Sequence, residues 1–125
     1  MKNLDIEELT ALCIEWQERL GLSHWRIAVQ ICRAREMPVP DVQATSDISL
    51  QMEYALISIL DPVDYPSSPF EQDMEVTLVH ELLHIPLLYI TDPDRASLEH
   101  TYLEAFIERT ARLLVALARD KESMS

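Results

Sequence analysis

The chain has 125 residues, 48% of them hydrophobic and 26% charged, with a single glycine; this is the composition of one soluble globular domain without low-complexity or disordered stretches. Twenty-two acidic against ten basic residues give a formal charge of −12, which argues against nonspecific attraction to nucleic-acid phosphates or to an anionic membrane surface. No basic segment followed by an apolar stretch opens the chain and no apolar run approaches ~18 residues, while Cys13 and Cys32 lack CxxC spacing, so the expected compartment is the reducing cytoplasm.

From residue 4 to 20, Leu4, Ile6, Leu9, Leu12, Cys13, Trp16 and Leu20 recur at helical spacing. Glu7, Glu8, Glu15 and Glu18 fall largely off that face and Gly21 is a natural stop, which predicts an N-terminal surface helix. WRIAVQIC, 25–32, sets Trp25, Ile27, Val29 and Ile31 against Arg26, Ala28, Gln30 and Cys32, the period of two of a half-buried strand. Pro38 and Pro40 mark a turn. A weaker strand follows over 42–51, then a stronger one in YALISIL, 54–60, rich in β-branched residues.

DPVDYPSSPF ends that strand. Ser68, Pro69 and Glu71 read as helix cap, first helical residue and capping-box partner, so a helix is expected to begin near Pro69 and to run through TLVHELLHIP. Pro86 cannot donate to the Leu82 carbonyl, which predicts a kink or an end close to His84. Asp92 and Pro93 open a last helix whose apolar pattern, Leu98, Tyr102, Leu103, Phe106, Leu113, Leu114 and Leu117, continues to about Arg119. The order is helix, small sheet, helix, helix: an α+β domain.

HELLH carries the chemistry. On a helix His80 and His84 lie one turn apart on one face, close enough for both imidazoles to reach one ion at zinc bond lengths of about 2.0–2.1 Å. Glu81 lies about 100° further round, beside such an ion and suited to take a proton from water. A catalytic zinc commonly needs a third protein ligand. His100, Glu104 and Glu108 recur every four residues of the last helix, one stripe that an antiparallel pairing would present to the histidines. An apolar face buries carboxylates only with a cation or hydrogen-bond partners.

HELLH followed twenty residues after His84 by Glu104, with a further acid at Glu108, resembles the gluzincin arrangement of thermolysin-like metallopeptidases. That resemblance implies His80, His84 and Glu104 as zinc ligands, Glu81 as general base and Glu108 as the acid that orients a histidine. LSHWRI, YALISI, TLVHELLHI and the terminal helix, over roughly residues 20–117, are more closely similar to the small zinc metallopeptidases of phages and bacterial prophages. The metzincin pattern fails, since Leu87 and Ile90 stand where it has Gly and His.

The resulting expectation is a minimal zincin-like domain over 1–125, holding Zn2+ and hydrolysing a peptide or protein substrate with Glu81 as base. An extended peptide would pair with an edge strand, expected at 54–60. Tyr102 and His100 are candidate transition-state stabilisers. The alternative is a metal-stabilised interaction module with little or no turnover, favoured by small size and few oxyanion donors.

Overall fold

Helix α1, Ile6–Arg19, starts at a reciprocal cap: Asp5 accepts the Glu8 N–H at 2.8 Å, and the Glu8 carboxylate accepts the Asp5 N–H at 3.0 Å. It stops at Gly21, whose φ of 72° is open to glycine without a Cβ clash. Leu9, Cys13 and Trp16 are buried, the inward face the spacing predicts. The computed structural model describes residues 3–124.

Three strands follow: β1, Arg26–Cys32; β2, Ala44–Ser49; and β3, Tyr54–Leu60. β1 keeps its expected alternation through Ile31, with Ile27, Val29 and Ile31 half-buried and Arg26, Ala28 and Gln30 exposed, but Cys32, expected on the outer side, is buried. The strand at 54–60 is not an edge. It is the central strand of the order β1-β3-β2, parallel to β1 and antiparallel to β2. The reason lies in YALISIL itself: Ala55, Ile57, Ser58, Ile59 and Leu60 are all buried, and a near-continuous buried run belongs between neighbours rather than at a margin. The edge beside the later helices is β2, ATSDIS, whose polar composition suits an exposed margin.

Helix α2 spans Met74–Leu88 and begins later than Pro69. Ser68 caps only a loop turn, accepting the Phe70 N–H at 3.0 Å. Asp73 is the true N-cap, accepting from Val76 at 3.3 Å, and directly after it the buried series Met74, Leu78, Val79, Leu82 and Ile85 begins. Pro86 does not end the helix at His84: it stands inside α2, leaving the Leu82 carbonyl without its usual helical donor, and the helix closes two residues later.

Helix α3, Leu98–Met124, does not open at Asp92 and Pro93 but starts after Ser97, whose hydroxyl accepts the His100 N–H at 3.1 Å; Asp94 caps the intervening turn. It runs past Arg119, and most of its predicted apolar face points outward: Leu98, Tyr102, Phe106, Leu113 and Leu117 are exposed, and only Leu103 and Leu114 are partly buried. The buried face is instead Ile107, Ala111 and Val115, which that pattern did not include. Arg119 donates to Asp73 at 2.9 and 3.1 Å and to Glu75 at 3.0 Å, and Glu75 also accepts the Trp16 indole N–H at 2.8 Å. This clamp ties α1, α2 and α3 and holds the register in which the first half of α3 meets α2. Among the described residues no helix is long and apolar enough to cross a membrane.

Candidate metal centre

The buried face of α2 leaves His80, Glu81 and His84 on the side turned toward β2 and α3. The two imidazole rings project from successive turns with centroids 5.4 Å apart. Antiparallel to them, α3 presents Glu104 and Glu108 one turn apart. His80 Nε2 lies 2.8 Å from Glu104 Oε2, and His84 Nε2 lies 3.0 Å from Glu104 Oε1. His80 Nδ1 lies 2.9 Å from Glu108 Oε1, whose other oxygen accepts from Arg112 at 2.7 Å. One carboxylate thus gathers both histidines, and a second fixes the far side of His80. His100 is further off, with Nε2 3.7 Å from Glu104 Oε1.

Glu81 is 8% exposed. One ligand atom each from His80, Glu81 and His84 lies within 4.8 Å of the other two. Desolvation pushes the Glu81 pKa up, against the pull of the two histidines and a hydrogen bond with the Ser46 side chain of β2. Burial also works against a charged His80, but hydrogen bonds to Glu104 and Glu108 and the field of Glu81 outweigh it and raise its pKa to about 9. Hydrogen bonds from His80 and then His84 hold Glu104 well below the usual carboxylate range.

This donor set could hold a metal ion, and its spacing can be compared with that around zinc. Donors around a tetrahedral zinc stand roughly 3.3 Å apart, given bonds of about 2.0–2.1 Å, and the closest nitrogen–oxygen pairs here are only a few tenths of an ångström tighter. His80, His84 and Glu104 would hold the ion, with Glu108 on the second nitrogen of His80, the kind of contact that fixes a ligand's tautomer. Among the described residues Glu104 pairs with no arginine or lysine, only with histidines. A carboxylate so placed is short of a permanent positive charge.

The centre opens into a cleft of about 920 Å³ walled by β2, α2 and the start of α3. Its strand wall is Ala44–Ile48 of β2 together with Leu56 and Ser58 of β3, and of these two strands the edge is β2, not 54–60. His100 lines the cleft. Tyr102 does not: it is 64% exposed, because two residues from Glu104 is about 200° around a helix. Two cleft residues, Ser46 and Arg95, escaped the sequence reading. Only the polar run of ATSDIS hinted at Ser46, and nothing in the sequence marks Arg95.

What fold and site define is an α+β domain with a two-histidine, three-glutamate centre between two helices and an edge strand. Comparison of the chain with family models, with curated proteins and with solved structures finds no match. The geometry therefore carries the functional argument.

Proposed function

We propose that the chain is a zinc-dependent peptidase of the small, zincin-like phage type that its motifs resemble. The observation that carries this reading is the convergence of His80 Nε2 and His84 Nε2 on the single Glu104 carboxylate, with the buried Glu81 beside them. Zinc, when bound there, supplies Lewis acidity toward a peptide carbonyl and acidifies water. Glu81, raised in pKa by its burial, accepts a proton from the attacking water and returns it to the leaving amine. Glu108 holds the His80 ring through Nδ1. An extended peptide would align on the free margin of β2, which pairs only with β3 among the described strands. His100, on the cleft wall, is the candidate donor to the developing oxyanion.

The interaction-module reading draws on a different observation: the centre's donors already satisfy one another by hydrogen bonds, and beyond His100 and Arg95 the side-chain donors lining the cleft are neutral groups such as those of Gln43, Thr45, Ser46 and Thr77. Zinc-reconstituted protein assayed against a panel of unfolded proteins and peptides decides between them. Cleavage that disappears with chelator and returns with zinc supports the peptidase. Stoichiometric zinc without cleavage supports the module.

A further inference from the structure

Helix α3 is apolar on two opposite faces. Ile107, Ala111 and Val115 pack inward, while Leu98, Tyr102, Phe106, Leu113, Leu117 and Met124 form a stripe along the other side, each between 56% and 87% exposed. Helices apolar all round are normally buried all round. Taking about 200 Å² for a fully exposed large side chain, the stripe presents roughly 750 Å². That exceeds the largest apolar patch of a typical monomer, about 300–600 Å², and matches the roughly 800 Å² that each partner contributes to a standard interface.

We propose that two copies of the chain associate through this face as a two-fold dimer of antiparallel α3 helices. Charge points to a second copy. α3 carries five acidic and four basic residues, so it holds only −1 of the chain's −12. With Glu104 and Glu108 turned to the cleft, Arg119 to the clamp and Glu122 to Arg19 of α1, what remains is two acids, Glu99 and Asp120, against three bases, Arg109, Arg112 and Lys121. This is a face on which two strongly acidic molecules can meet with least repulsion. Its sequence is also self-complementary, as a two-fold interface requires. An antiparallel pairing centred at the level of Ala111 sets Leu98 opposite Met124 of the second copy, Phe106 opposite Ala116 and Tyr102 opposite Asp120. Each aromatic ring then faces a short side chain, and the phenol can donate to the carboxylate.

Sedimentation of the full chain across about 1–100 µM should show a monomer–dimer equilibrium that tightens with added salt, since salt screens the repulsion between two anionic bodies. A basic partner on this face would instead bind more weakly with salt. Phe106→Glu and Leu117→Glu should each weaken dimerisation at least tenfold while leaving helix content and melting unchanged, because both side chains are exposed. Ile14→Glu, an equal charge change at an exposed position of α1, should have little effect. A wild type that stays monomeric at high salt overturns the proposal, as does a dimer indifferent to both stripe variants.

Discussion

Two charged junctions join α2 to α3, and they are built on opposite principles. At the clamp, Asp73 and Glu75 close on Arg119, a cation that no ordinary pH removes. At the centre, Glu104 meets only histidines among the described residues, Glu81 is buried beside them, and Arg112 reaches Glu108 from the solvent side. The clamp contains its own counter-charge, whereas the centre gathers three carboxylates around two imidazoles. The first is finished as a structural joint; the second has the charge and the donors to receive a divalent cation. Helix packing alone does not call for the second arrangement, since apolar residues in its place would stabilise the contact at least as well.

The largest expected effect lies in the centre's least exposed acid. Glu81→Gln preserves shape and hydrogen bonding but cannot accept a proton, so turnover should fall by about 10²–10⁴-fold with zinc content unchanged. Equal rates in wild type and variant would remove Glu81 from the mechanism. Arg119→Met breaks the other junction: Asp73 and Glu75 lose their cation, and stability should drop by about 1–3 kcal/mol in chemical denaturation. Zinc affinity in the folded variant should change far less than stability does. If affinity falls in step with stability, the two junctions are one structural unit and the contrast between them fails.

A smaller change is expected from Glu108→Ala, which removes the partner of His80 Nδ1 and should weaken zinc about tenfold to a hundredfold in competition with a chromogenic chelator. Tyr102→Phe, on the outer face, should leave zinc affinity and turnover unchanged. The smallest effect concerns a third ion pair, away from both junctions. Asp64 accepts from Arg33 at 2.8 and 3.1 Å and from the Ala34 N–H at 2.8 Å, with Arg33 the chief cause of a pKa lowered to about 2. A lowered carboxylate stabilises the fold above its ordinary value of 3.8, and the contribution is lost as pH falls through about 2. Asp64→Asn should therefore lower melting slightly near neutral pH, with the difference from wild type closing as pH falls from 3.8 through about 2, so that the acid limb of the variant is flatter over that window.

Much of this contrast was legible in the chain. HELLH on a helix, the stripe His100, Glu104 and Glu108, the first helix with its Gly21 stop and the alternation of β1 all follow from local spacing, and each reappears in the structure. What escaped depends on competition between equivalent local signals or on distant neighbours. Ser68 and Asp73 are both good caps, and only the buried series starting at Met74 selects the second. A run such as YALISIL reveals that it is buried, but the position of β2 on its far side decides that it is central. The leucines of α3 share one helical pattern in sequence, yet packing against α2 takes Leu114 and leaves Leu113 and Leu117 outside. Ser46 meets Glu81 across the cleft wall, a pairing that no spacing in the sequence encodes.

The most direct test of the difference between the junctions is zinc stoichiometry and affinity, measured by elemental analysis and chelator competition on wild type, His84→Ala, Glu104→Ala and His100→Ala. The account predicts one zinc per chain, lost in His84→Ala, weakened far more by Glu104→Ala than by His100→Ala, and a wild-type melting temperature that chelator lowers. A wild type that takes up no transition metal after reconstitution with zinc, and melts identically with and without chelator, would contradict it.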